Sequence, residues 1–206
     1  MLGPRGLEWA GRQAQDPGGI VTTLVNRPNT ALVVVDMQLG VVAGAYRRDD
    51  VVATIAAVVQ RARDAGVDVI WVQHGGEELP RGSDAWQYVP ELVRRDAEPL
   101  VPKEYSDAFE ATDLESVLAD RGIGRFFLAG AQTDECIRST LHGGITRGYD
   151  VTLVADAHTT EDLSEYGAPP PELVVAHTNL YWQNHKAPGR TAGTVNAADI
   201  DFASLL

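Results

Sequence analysis

A single cysteine among 206 residues excludes a disulfide within the chain and fits a reducing compartment. Basic residues are also few, 17 Lys and Arg against 29 Asp and Glu, and the formal charge of -12 leaves no basic face for general nucleic-acid or anionic-membrane binding. No apolar run approaches the roughly 20 residues that a bilayer-spanning helix needs. The opening MLGPRGLEWAGRQAQDPGG lacks the apolar centre of a signal peptide, so a cytoplasmic protein is expected. Internal repeats and low-complexity tracts are absent. What is present is ordinary globular material, 44% hydrophobic and 22% charged, in a length that suits one domain with a substantial core.

Four apolar runs read as buried strands. ALVVVDMQ (31–38), VDVIWVQH (67–74), the run at 125–129 and YDVTLVADA (149–157) are the near-continuous segments expected of a parallel sheet covered on both faces. A short last strand is expected at 193–195. Val51, Ile55, Val58, Val59 and Ala62 recur at helical spacing over 50–65, with Gly66 as the stop. Thr112 and Asp113 start a second helix that ends at Gly122, a third runs from the cysteine segment to Gly148, and Pro169–Pro171 open a fourth through ELVVAHTNLYW.

Residues 1–28, dense in turn formers, read as an N-terminal arm that reaches the body or a neighbouring subunit through Leu7 and Trp9, and 29–206 as the single domain. Residues 75–100 read as one long connection of the kind that more often carries function than not. Strand–helix alternation predicts an α/β fold, three-layer α/β/α with a mostly parallel, doubly wound sheet. In such folds ligands bind outside the carboxyl ends of the strands, and Asp36, His74, Cys136 and Asp156 all fall at such ends.

Cys136 lies in FFLAGAQTDECIRST, a strand, a Gly-bearing loop and a helix opening near Thr133 or Asp134 as N-cap. A thiol in a first helical turn meets free amides and the positive end of the dipole, which favour a thiolate and an oxyanion formed beside it. The competing interpretation is a small buried hydrophobe. Asp36, Lys103 and Cys136 make chemical sense together: a carboxylate takes the thiol proton, and an ammonium stabilises the charges.

Three ordered segments, VVVDMQ, VPKEYSDAF and GAQTDECIRST, resemble the signatures of the isochorismatase-like cysteine hydrolases, which include nicotinamidase, carbamoylsarcosine amidase, ureidoacrylate amidohydrolase and streptothricin hydrolase. The likeness covers about 30–180. It implies Asp36 as general base, Lys103 as charge-stabilising partner, Cys136 as nucleophile, a cis peptide between Ala131 and Gln132, and an oxyanion hole formed by the Gln132 and Cys136 amides. The implied reaction is hydrolysis of a C–N bond in a small amide, lactam, carbamoyl or ureido compound through a thioester. No cofactor is implied, and a homodimer or homotetramer is. The segment LGVVAGAYRRDD lacks the histidines of the nicotinamidase metal cluster, so no catalytic metal is expected.

Gln38, Trp86, Tyr105, Phe109 and the side chain of Gln132 are candidate substrate contacts, each set against an ordinary role as core or as a satisfied polar group. His74 is expected to orient a loop, His142 to be structural, His177 to lie in core or a subunit interface, and Asp156 to serve as a cap. Two other functions compete: vinyl-ether hydrolysis of the isochorismatase type, and a non-catalytic, redox-responsive oligomer with Cys136 as its sensor thiol.

Overall fold

The apolar run after Thr30 forms an interior strand of the sheet, because a segment with no polar side chain can only be covered on both faces. The computed structural model describes residues 22–205. In it β1 (Asn29–Val35) is flanked on one side by β2 (Asp68–His74) and β3 (Leu100–Lys103), and on the other by β4 (Ile123–Ala131), β5 (Asp150–Thr159), β7 (Arg190–Val195) and β6 (Lys186–Ala187). All neighbours pair in parallel except β6 with β7.

Alternate residues of β1 feed two separate cores. Leu32 and Val34 pack with Val51, Ile55, Val58 and Val59 of α2 (Arg48–Asp64). Ala31, Val33 and Val35 pack with Leu114 and Leu118 of α3 (Leu114–Asp120), Leu141 and Ile145 of α4 (Arg138–Arg147), and Trp182 of α5 (Pro171–Gln183). Helices on both faces of a parallel sheet give the three layers that the sequence predicts. Gly66 and Gly148, at φ +75° and +107°, stop α2 and α4 in the left-handed conformation.

Four readings of the sequence need correction. The connection after His74 ends in a strand that the sequence reading missed, β3, masked by Pro102; proline is tolerated there because β3 is an edge strand. The strand read at 149–157 runs on to Thr159. The last strand begins at Arg190 rather than Gly193 and is preceded by β6. A single turn, α1 (Leu39–Val42), follows the first motif and was not anticipated. Leu7 and Trp9 of the expected arm lie outside the described residues. From Thr22 the chain lies on the body: the Thr22 hydroxyl donates to the Gly148 carbonyl, and Arg27 donates to Glu115 and to the Tyr149 hydroxyl.

The strand order turns outward in one direction from β1 through β2 to β3 and in the other from β4, so the sheet reverses between β1 and β4. Crevices form at the carboxyl ends of strands at such a switch point. There the backbones approach so closely that Gly130, at φ +130°, has no room for a side chain: a Cβ would fall 2.0 Å from the Val35 carbonyl oxygen. Gly130→Ala is expected to lower stability by about 3 kcal/mol or more, read as a shift of the urea midpoint at unchanged slope.

Candidate active site

Three strand ends deliver the charged residues. β1 stops at Asp36, where φ turns to +54° and the Asp36 amide donates to the Val72 carbonyl. The register of β2 against β3 sets His74 beside Lys103. The Lys103 ammonium, buried with its partner, lies 2.7 Å from Asp36 Oδ2. It donates to Cys136 Sγ at 3.1 Å and to the Tyr105 carbonyl at 3.1 Å, and lies 3.3 Å from His74 Nδ1. Four acceptors thus surround three N–H protons. The resemblance named Asp36, Lys103 and Cys136 as a unit, and the fold brings these residues of three different strand–loop junctions together.

Electrostatics decide the resting protonation. Burial raises the Asp36 carboxyl above its ordinary value, opposed by the Lys103 charge and by hydrogen bonding to Lys103 and Cys136. Apart from Lys103 and the Cys136 thiol, neither Asp36 oxygen has a hydrogen-bond partner among the described residues, so the carboxylate keeps the acceptor capacity a base requires. For Lys103, burial works against the charge, but the Asp36 charge and the hydrogen bonds to Asp36 and Cys136 outweigh it and the ammonium is retained. Burial, and then the Asp36 charge, push the Cys136 thiol up to about 12, against the pull of Lys103. Burial thus works against the thiolate that a helix start favours, and the thiol proton is left for a base to take. Burial, and then Lys103, hold the His74 imidazole below its usual value, so it faces the ammonium as a neutral acceptor. That contact extends the loop-orienting role the sequence suggested.

The turn carrying Cys136 is also not the α-helical turn expected. Thr133–Ile137 form one π-helical turn before α4. The Gln132 carbonyl accepts from the Glu135 and Ile137 amides, the two residues on either side of Cys136. The Ala131–Gln132 peptide is cis. Neither Thr133 nor Asp134 caps the turn. Thr133 Oγ1 instead pairs with His158 Nδ1 at 2.9 Å, and Asp134 accepts from the Thr160 hydroxyl at 2.6 Å.

The substrate contacts expected from sequence separate. The Gln38 amide is fully buried and saturated: Nε2 donates to the His74 and Trp86 carbonyls, and Oε1 accepts from the His74 amide. It pins the end of β2 to the excursion that follows and has no N–H left for a ligand, so that expectation is corrected. The Gln132 side chain is likewise committed, bridging the Val41 carbonyl and the Glu161 amide rather than entering a pocket. Phe109 is core, packed against Phe126 and Tyr149 with Arg147 over its ring. Trp86 is half-buried beside Gly75, with an indole N–H that has no partner among the described residues. Tyr105 gives its carbonyl to Lys103 and exposes its ring over a shallow recess shared with Arg81, Glu104 and Thr112. These two remain candidates for contacts at the mouth of the site.

Asp156 accepts from the Ala197 amide, the capping role expected. His142 and His177 pack on Tyr181 of α5, and His142 also meets His185. Among the described residues no group of three or more His, Cys, Asp or Glu is arranged to hold a metal ion. No helix among them is long and apolar enough to cross a membrane.

Sequence reasoning missed His158. It is buried at the end of β5, where Nε2 lies 3.0 Å from Asn179 Oδ1. Burial lowers its pKa to about 4. The unfolded side chain titrates near 6.5, so stability is full above that pH and is lost as pH falls towards the folded value. The cost at pH 4.5 is about 2–3 kcal/mol. Urea unfolding at pH 7 and 4.5 should show this loss in the wild type and its absence in His158→Gln.

Comparison with known proteins adds a family. The family model described as the Isochorismatase domain matches residues 30–168. Among similar solved structures, an isochorismatase family protein from Burkholderia thailandensis is 25% identical, with 89% of this chain and 98% of that one covered at a TM-score of 0.67. An isochorismatase from Pseudomonas putida KT2440 is 24% identical over 85% of this chain and 92% of that one, at a TM-score of 0.76. A cysteine hydrolase from Pseudomonas syringae pv. phaseolicola 1448A is 22% identical over 88% and 95%, at 0.73. The last two likenesses are of fold.

Proposed function

This chain belongs to the isochorismatase-domain family, and so to a class of hydrolases, and from that membership we propose that it cleaves a C–N bond in a small amide, lactam, carbamoyl or ureido compound through a thioester on Cys136. The observation that carries the reading is the Lys103 ammonium, 2.7 Å from Asp36 and 3.1 Å from Cys136 inside a desolvated crevice. Asp36 takes the thiol proton as Sγ attacks the carbonyl carbon. Lys103 stabilises the sulfur and the carboxylate in turn, and the Gln132 and Cys136 amides receive the oxyanion. Collapse breaks the C–N bond, and Asp36 returns its proton to the departing nitrogen. Water, deprotonated by Asp36, then attacks the thioester, the C–S bond breaks, and the proton on Asp36 goes back to sulfur. The sum is amide plus water giving acid plus amine, with no redox step.

A sensor thiol fits less well. Sensors are exposed cysteines of low pKa, whereas Cys136 is mostly desolvated and its pKa is pushed up. The same reading carries a homodimer or homotetramer acting in the cytoplasm on a small molecule, with no nucleic-acid or membrane partner; light scattering checks the assembly. The function is tested by assaying ammonia or amine release from a panel of amides, lactams, carbamoyl and ureido compounds, with isochorismate in parallel. Release abolished by Asp36→Asn supports C–N hydrolysis. Turnover of isochorismate alone, retained by Cys136→Ala, replaces the proposal with vinyl-ether hydrolysis.

A further inference from the structure

Gln132 and the first two residues of the nucleophile's turn, Thr133 and Asp134, are each held by a different residue of one segment beyond the middle of β5. Gln132 Oε1 accepts from the Glu161 amide at 2.8 Å, Thr133 Oγ1 meets His158 Nδ1 at 2.9 Å, and Asp134 Oδ1 accepts from the Thr160 hydroxyl at 2.6 Å. The segment stands there because the ladder between β4 and β5 slips. Leu128 pairs with Leu153, so an unbroken ladder would set Gly130 against Ala155; Gly130 instead pairs with His158 and Ala131 with Thr159. Three extra residues, Ala155–Ala157, are accommodated and tied down from behind, Ala155 through its carbonyl to Asn179 Nδ2 and Asp156 through its carboxylate to the Ala197 amide.

The hydrogen-bond polarity follows from Asn179. Its Nδ2 donates to Ala155, so its Oδ1 is the acceptor that faces His158 Nε2. The imidazole proton therefore sits on Nε2, Nδ1 is an acceptor, and the Thr133 hydroxyl donates to it. Thr133 and His158 are both buried, so the bond between them is not shared with bulk water.

We propose that the segment His158–Glu161 is the template that aims the oxyanion-binding amides of the cysteine loop, with His158 as its central positioning residue acting through Thr133. The inference rests on the reading of the Gln132 and Cys136 amides as the oxyanion hole. A hole of this kind works only if its donors are held in place before charge develops, within about half an ångström of the productive geometry. The loop's own turn does not do this with its side chains, since Thr133 reaches away from it to His158 of β5 and Asp134 to Thr160 just beyond.

Two probes of Cys136 separate aim from nucleophilicity. Propionaldehyde adds the thiol across its carbonyl, forming a C–S bond and an oxygen that lies in the hole. Iodoacetamide alkylates the same sulfur with loss of iodide and needs no hole. For Thr133→Val, which keeps shape and removes the hydroxyl, propionaldehyde affinity is expected to fall about tenfold while the alkylation rate stays within about twofold. Thr133→Ser should restore affinity, and His158→Leu should behave as Thr133→Val does. Unchanged aldehyde affinity in Thr133→Val and His158→Leu overturns the template, as does a parallel fall of both probes that Thr133→Ser does not rescue. A wild-type protein that alkylates but takes up no aldehyde overturns the oxyanion reading itself, and the template with it.

Discussion

Cys136→Ala is expected to leave the fold intact and to lower turnover by about 10⁴-fold or more. Removing a nucleophile from a set of residues that act as one unit abolishes most of what the unit contributes, and only binding and the oxyanion donors remain. The side chain is small and partly accessible, so its loss costs little packing. Circular dichroism and the unfolding midpoint should be near wild type. Cys136→Ser should rescue little, since a hydroxyl is a still weaker acid than a thiol already held at about 12. Asp36 would then face a proton it cannot take.

Lys103→Met is expected to damage stability and catalysis together. Lys103 and Asp36 are both buried, and their attraction offsets a desolvation cost of several kcal/mol per ion. Removing one partner leaves the other uncompensated, at about 3–5 kcal/mol, or about 10 °C in melting temperature for a chain of this size. The stranded carboxyl would relieve the cost by holding a proton near neutrality, which removes the base. Asp36→Asn/Lys103→Met should recover most of the stability and none of the activity, because it removes both charges rather than one. Lys103→Arg should not rescue: the larger guanidinium has no room in a fully buried site that places one nitrogen among four acceptors.

Much of the scaffold is legible in the sequence because burial on two faces leaves a simple trace. Residues 31–35 and 69–72 carry no charged, amide or hydroxyl side chain, and α2 repeats its apolar positions where the structure buries them. β3 was illegible for a local reason. Its four residues alternate exposed and buried around a proline, a pattern that an edge strand tolerates and a central strand does not. The catalytic constellation was accessible only through ordered motifs, since nothing in the spacing of residues 36, 103 and 136 announces contact.

The remaining misses share one cause. A polar side chain's partner is set by tertiary approach, and sequence does not display it. Gln38 looks like a free amide at a strand end, but its partners lie 36 and 48 residues away. Thr133 and Asp134 look like helix caps, but their partners lie 25 and 26 residues on, across a slipped ladder. The DAHTT stretch at 156–160 held the signal for His158, a run of polar residues continuing where the apolar part of the strand had ended.

The most direct measurement is the intact mass of the protein, acid-quenched during turnover of whichever amide, lactam, carbamoyl or ureido compound releases amine. A thioester mechanism predicts a transient gain equal to the acyl half of the substrate, located on Cys136, lost when substrate is exhausted and absent from Cys136→Ala. Undiminished hydrolysis by Cys136→Ala, or an adduct on another residue, would contradict it.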